Sequence, residues 1–213
     1  MSVKLYPLPV GDYQANCYII SVDERALIVD PGDEATKIIR CLETKKLKPE
    51  AILLTHGHFD HIGALKEVQA KYDVPVYAHQ DEKEYFTNAN YNLSWKAGRT
   101  PVEIGDLSAF IFIGEDQTIE LLNQTIDIRH VPGHSLGSIA FYFKESGMVV
   151  SGDALFKGSV GRTDLIHGNH DQLITSIKSK LLTLPDDTIV YSGHGPATTI
   201  GDEKQTNPFF RRI

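Results

Sequence analysis

Cysteine is nearly absent: Cys17 and Cys41 are the two in a chain of 213 residues. A disulfide framework is thereby excluded, so stability has to come from a buried core. An excess of basic charge is missing too. Twenty-one Lys and Arg stand against 28 Asp and Glu, for a formal charge of −7 and a pI near 5.7. The basic stripe of a nucleic-acid surface is not there, so no nucleic-acid partner is expected. No apolar run is long enough to span a bilayer, and Met1-Ser2-Val3-Lys4 leads into no apolar h-region. The expectation is a cytoplasmic protein with no membrane partner. Low-complexity linkers and short repeats are also lacking. One domain over residues 1–213 follows, with 41% hydrophobic residues to fill its core.

What is present is a recurring pattern of short apolar strands. Cys17 to Ile20 and Ala26 to Val29 read as a hairpin around the polar turn Asp23-Glu24-Arg25. Ala51 to Leu54 and Val74 to Ala78 flank a helical stretch from Ile62 to Tyr72, where Leu65, Val68 and Tyr72 keep helical spacing. A second set follows: Ile119 to Leu122, Thr125 to Arg129, Ile139 to Phe143, Met148 to Ser151 and Thr188 to Tyr191. Before the last of these, a helix is expected from about Asp171 to Leu182, with Asp171 as N-cap and Pro185-Asp186-Asp187 as the stop. Two halves of strands followed by a helix suggest two packed sheets with helices outside. The segment from Gln80 to Gly105 is polar, carries Tyr85, Phe86, Tyr91 and Trp95, and has little periodicity; it reads as a helical or looped insertion near the site.

The chemistry is concentrated in Thr55-His56-Gly57-His58-Phe59-Asp60-His61, directly after the apolar run Ala51 to Leu54. Imidazoles crowded in this way repel one another when charged and add little to a core, so a metal is the natural reason for them. A strand that ends in a polar loop delivers its side chains to the rim of a sheet, where α/β proteins build their sites. Three more strands end alike: before His134 in Pro132-Gly133-His134-Ser135, before Asp153 in Ser151-Gly152-Asp153, and before His194 in Ser192-Gly193-His194-Gly195. Any one of these alone is ordinary. Five histidines and two aspartates, all at strand ends, are not.

Together these motifs resemble the metallo-β-lactamase superfamily, whose signature is His-x-His-x-Asp-His with a later His, Asp and His. The resemblance implies an α/β fold, the αββα sandwich of two mixed β-sheets packed face to face with helices outside. It places His56, His58 and His134 on one metal, Asp60, His61 and His194 on a second, and Asp153 between the two. Asp30, in Val29-Asp30-Pro31-Gly32, matches the aspartate that supports the metal loop without touching the metal; a turn role for it fits the sequence equally well. Two divalent ions are implied, zinc first, with iron or manganese also suited to five imidazoles and two carboxylates. Asp60 and Asp153 are the expected catalytic carboxylates.

Within the superfamily the chain is most similar to glyoxalase II, hydroxyacylglutathione hydrolase, and its short relatives. Gly152-Asp153-Ala154-Leu155-Phe156, Gly161-Arg162-Thr163-Asp164, Ser192-Gly193-His194-Gly195 and the tail Thr206-Asn207-Pro208-Phe209-Phe210 carry that likeness. It implies hydrolysis of a glutathione thioester, such as S-lactoylglutathione, by a hydroxide held between the metals. There are departures. Only Gly195 to Ile213 follow the last metal histidine, too few for the helical glutathione-binding domain of the classical enzyme. Pro196 replaces its tyrosine, and Arg162 stands where a substrate-binding lysine follows the bridging aspartate. Arginine grips carboxylates bidentately, which makes Arg162 a candidate substrate anchor; an ion pair with Asp164 is the structural alternative. The competing activities are an iron persulfide dioxygenase using only His56, His134 and Asp153, and a lactonase or β-lactamase-type hydrolase on the same scaffold. His79, His130, His167 and His170 fall outside the ligand set and read as surface or supporting residues.

Overall fold

A computed structural model describes residues 3–98 and 100–210. Arg99 of the 80–105 segment and the 211–213 end of the tail lie outside the described residues. The chain divides into two compact units, Met1–Ile113 and Gly114–Ile213, each built on its own mixed six-stranded sheet.

In the first unit the strands lie in chain order: β1 (Val3–Val10), β2 (Ala15–Val22), β3 (Arg25–Val29), β4 (Lys48–Leu53), β5 (Val76–His79) and β6 (Phe110–Ile113). The β1–β2 and β2–β3 pairs are antiparallel, and β3 through β6 are parallel. Every residue of β2 is buried, which is why its centre, Cys17 to Ile20, is a run without polar alternation. Alternate residues Cys17 and Ile19, Ala26 and Ile28, and Ile52 and Leu54 pack with Ile38 and Leu42 of helix α1 (Ala35–Lys45). Each such fully buried aliphatic side chain contributes about 1.5–3 kcal/mol.

The expected hairpin forms in the register Val22↔Arg25, with Arg25 belonging to β3 and bound to Glu50 through Nε and a terminal guanidinium nitrogen. The helical stretch that follows the histidine-rich motif is broken in two: α2 (Phe59–Ile62) and α3 (Leu65–Tyr72). Gly63 sits between them because a Cβ there would meet Gly32 O at 2.4 Å. Helix α4 (Lys83–Thr87) opens the segment that reads so weakly in the sequence.

In the second unit the order is β14 (Thr198–Thr199), β13 (Ile189–Ser192), β10 (Met148–Gly152), β9 (Ile139–Phe143), β8 (Gln124–His130), β7 (Gln117–Leu121); β11 (Leu155–Phe156) and β12 (Ser159–Val160) form a separate hairpin. Ala140, Tyr142, Val149 and Val190 pack with Leu173 of helix α5 (His170–Ser176) and with Ile177 and Leu181. Helix α5 starts earlier than the sequence suggests. Its N-cap is Asn169, whose side chain accepts from Gln172 N–H at 3.0 Å. Asp171 lies in the first turn instead, where a carboxylate faces the positive end of the helix. Beyond Ser176 the helix widens, with Leu182 N–H donating to Ile177 O at 2.9 Å. Helix α6 (Ile200–Thr206) closes the unit.

Of the elements missing from the sequence reading, the edge strand β1 has its apolar pattern interrupted by exposed residues, and α1 and α6 are mostly polar, burying three residues each. Strand β6, by contrast, is an apolar run of four residues, and its absence from that reading has no such cause.

Candidate metal centre

In the first unit the candidate ligands follow β4. Because β3 and β4 run parallel, their C-terminal ends share one rim, which places Asp30 beside Thr55. Both oxygens of Asp30 are in use. Oδ1 accepts Thr55 N–H at 2.8 Å, and Oδ2 accepts the Thr55 hydroxyl at 2.6 Å and faces His61 Nδ1 at 3.0 Å. Asp30 is 1% exposed and takes a left-handed φ of 49°, a conformation aspartate tolerates better than most residues. Asp30 therefore combines a left-handed turn conformation with hydrogen bonds to Thr55 and His61.

These bonds set the proton positions on the rings. A carboxylate only accepts, so His61 Nδ1 is the donor and its Nε2 carries the lone pair. The single hydroxyl hydrogen of Thr55 goes to Asp30, so His56 Nδ1, 3.1 Å from Thr55 Oγ1, donates to that oxygen. His56 also presents a lone pair on Nε2. The Nε2 atoms of His56, His58 and His61 are buried. The His56 ring lies 4.8 Å from that of His58 and 4.2 Å from that of His61, centroid to centroid. Asp60, half-buried, has Oδ2 4.0 Å from His61 Nε2. Asp30, His56 and His61 each offer a ligand atom within 4.8 Å of the others.

In the second unit β8, β10 and β13 run in one direction, β8 and β10 each antiparallel to β9 and β13 parallel to β10. Their C-terminal loops carry His134, Asp153 and His194. Asp153 Oδ2 lies 3.6 Å from His134 Nε2 and 3.6 Å from His194 Nε2. That spacing is too long for a hydrogen bond. Two ligand atoms about 2.1 Å from a common zinc-sized ion stand roughly 3.4 Å apart at a tetrahedral angle, so the spacing suits a carboxylate that shares an ion with each histidine.

His134 Nδ1 is 2.8 Å from the backbone carbonyl of Arg162. A carbonyl only accepts, so this ring too carries its proton on Nδ1 and its lone pair on Nε2. Gly161 makes the approach possible: a Cβ there would sit 1.9 Å from Asp153 O and 3.2 Å from His134 Nδ1. Gly133, at φ 130°, lets the loop pass Leu173, whose backbone nitrogen would be 2.4 Å from a Cβ.

The Arg162 side chain is bound bidentately to Asp164 (Nε to Oδ1 2.8 Å, a terminal nitrogen to Oδ2 2.8 Å), and both are well exposed at 64% and 69%. The guanidinium hydrogen bond holds the Asp164 carboxyl down at about 2. The structure therefore contains the ion pair that the sequence left as the alternative to a substrate anchor.

Of the histidines outside the set, His167 and His170 are exposed, and His130 Nε2 bonds Leu136 O at 2.9 Å. His79 is 1% exposed, a core residue rather than a surface one. The groups bonded to candidate ligands that sequence reading missed are Thr55 and the carbonyl of Arg162. A backbone carbonyl has no residue-type signal; Thr55, adjoining the motif, could have been noticed.

A profile described as the Metallo-beta-lactamase superfamily matches residues 10–194. The chain is 48% identical over 207 residues to the Probable metallo-hydrolase YqgX of Bacillus subtilis, covering 97% of each. It is 37% identical over 207 residues to the hydroxyacylglutathione hydrolase GloC of Haemophilus influenzae, covering 95% of each. Among solved structures it is similar to BLEG-1 B3 metallo-beta-lactamase, with TM-score 0.94, 40% identity and coverage of 97% of this chain and 99% of that one. It is also similar to TTHA1623 in a di-iron-bound form, with TM-score 0.84, 38% identity and coverage of 96% and 99%. Among the described residues no helix is long and apolar enough to cross a membrane.

Proposed function

This chain belongs to the metallo-beta-lactamase superfamily, and from that premise we propose that it is a metal-dependent thioester hydrolase acting on S-2-hydroxyacylglutathiones such as S-lactoylglutathione. The observation that carries the metal-dependent part is the set of fixed tautomers. His56, His61 and His134 each hold a proton on Nδ1 against a dedicated acceptor and leave Nε2 as the ligand atom. Neutral imidazole oriented through its other nitrogen is what a divalent cation requires. The donor set of imidazoles and carboxylates fits zinc, iron or manganese. His56, His58 and His134 would hold one ion, Asp60, His61 and His194 a second, and Asp153 both. The di-iron form of a relative that is 38% identical supports the count of two and leaves the element open.

Ions held there would supply Lewis acidity and a water whose pKa falls toward about 7. The residues do the rest. Asp153, with one oxygen equidistant from two ligand nitrogens, orients the attacking oxygen, and Asp60 sits beside His61 as the second acidic group. A thioester suits a centre with no strong general acid, because a thiolate leaves without being protonated first.

The substrate class rests on the likeness to GloC across nearly the whole of both chains. Arg162 is retained in the proposal as an anchor for a substrate carboxylate, reachable by exchanging its bond to Asp164. A second reading, lactam hydrolysis, is favoured by the 40% identity to BLEG-1.

The test is hydrolysis of S-lactoylglutathione by metal-replete protein, beside a chromogenic cephalosporin and oxygen uptake with glutathione persulfide. A kcat/KM of about 10⁴ M⁻¹s⁻¹ or more for the thioester supports the proposal. Turnover confined to the cephalosporin or the persulfide replaces it with the corresponding activity.

A further inference from the structure

The loop that carries His56 and His58 is anchored at alternate residues. Thr55 N–H donates to Asp30 Oδ1 at 2.8 Å, Gly57 N–H to Glu82 Oε2 at 2.7 Å, and Phe59 N–H to Asn92 O at 2.9 Å. The residues between them, His56 and His58, are candidate ligands, and Asp60 follows in the first turn of α2. The backbone is extended at His58, with φ −68° and ψ 147°. Gly57 lies between the two histidines, so fixing its amide fixes the backbone from which both side chains project.

Two of the three acceptors come from the 80–105 segment. Glu82 is a carboxylate with 1% of its surface exposed, and burying one is costly unless it is hydrogen-bonded. Its partner is the amide between two candidate ligands. The fit is tight: a Cβ at Gly57 would meet Tyr85 Cβ at 2.5 Å and Glu82 Oε2 at 2.9 Å, and the Tyr85 ring lies 5.7 Å from that of His58. Asn92 is fully buried. Its side-chain amide bonds Tyr85 O at 2.9 Å and Val102 O at 2.7 Å, drawing the segment together so that its own carbonyl faces Phe59.

We propose that Glu82 is a positioning residue of the metal centre, holding the Gly57 amide so that His56 and His58 are presented together, and that the 80–105 segment is the scaffold of this loop. The proposal rests on reading His56 and His58 as ligands.

The test uses apo-protein and zinc or cobalt alone. Glu82→Leu fills the space without an acceptor, and Glu82→Gln keeps one. Zinc affinity is measured against a chromogenic chelator, the cobalt d–d spectrum reports ligand geometry, and the melting temperature of the apo-protein reports the fold. Glu82→Leu is expected to bind zinc about 10–100-fold more weakly with an altered cobalt spectrum, and Glu82→Gln to stay close to the parent. A folded Glu82→Leu with parental affinity and spectrum overturns the proposal, as does a lower apo melting temperature with unchanged affinity. If Glu82→Leu does not fold, Glu82→Asp, one methylene shorter at the same charge, decides: weakened binding sustains the proposal and parental binding overturns it. Parent protein that takes up no zinc would instead overturn the ligand assignment itself, before any variant is compared.

Discussion

His134 Nδ1 lies 2.8 Å from the backbone carbonyl of Arg162, so the Arg162 contact that orients the candidate ligand is made by the main chain. The side chain of the same residue faces outward to Asp164. The two functions of this position can be separated by mutation. Arg162→Ala keeps the carbonyl and is expected to leave metal content unchanged; if the guanidinium anchors substrate, KM rises while kcat stays. Gly161→Ala places a Cβ 1.9 Å from Asp153 O and is expected to lower metal content and kcat together. Metal analysis and steady-state kinetics on both variants check this, and unchanged KM in Arg162→Ala removes the guanidinium from substrate binding.

The same pair sets a pH expectation. Hydrogen bonding to Arg162 lowers the Asp164 carboxyl to about 2 in the folded protein, against about 3.9 for a free aspartate. The pair's contribution is therefore complete above about pH 4 and is lost as pH falls toward 2. Both residues are exposed, so the contribution is small. Between pH 5 and 9 the Arg162–Asp164 pair does not titrate, and Arg162→Ala is expected to leave the shape of the pH–rate profile in that range unchanged.

Asp30→Asn preserves volume but substitutes a donor for one acceptor oxygen. Asp30 accepts from Thr55 N–H, the Thr55 hydroxyl and His61 Nδ1, so an amide NH₂ must face one of these donors. An unsatisfied buried partner costs about 1–3 kcal/mol. The expected outcome is a folded protein with lower thermal stability and about 10–100-fold weaker metal binding, measured by denaturation and chelator competition.

Removal of metal by a strong chelator is expected to abolish hydrolysis and lower the melting temperature, because an ion bound only by the folded state stabilises it. Adding zinc, iron or manganese back one at a time identifies the element that restores activity. His58→Ala is expected to resemble the stripped protein in activity even with metal in excess; full activity in this variant would exclude a centre that uses His58.

Burial pushes the thiols of Cys17 and Cys41 above their ordinary range, Cys17 strongly. Only the thiolate reacts. Native protein at pH 8 is expected to protect Cys17 fully from a thiol-reactive disulfide and to label Cys41 slowly, while denatured protein titrates both. Rapid native labelling of Cys17 would contradict its complete burial.

By itself the sequence determined which residue types could ligate a metal and where they fall. His56, His58, Asp60, His61, His134, Asp153 and His194 each follow a strand, and strands end where sheets open to chemistry. Apolar runs such as Cys17 to Ile20 of β2 were legible because burial on both faces leaves no polar alternation. The mostly polar α1 and α6 were not, since three buried residues each scarcely mark the chain. Tertiary structure alone decided how the candidate ligands are held. That Asp30 reaches Thr55 follows from parallel pairing of β3 with β4, that Glu82 reaches Gly57 follows from the path of the 80–105 segment, and that His134 is oriented by a carbonyl follows from the absence of a side chain at Gly161. These contacts join residues 25 to 28 positions apart. They depend on distance and donor geometry, which residue type and spacing do not encode.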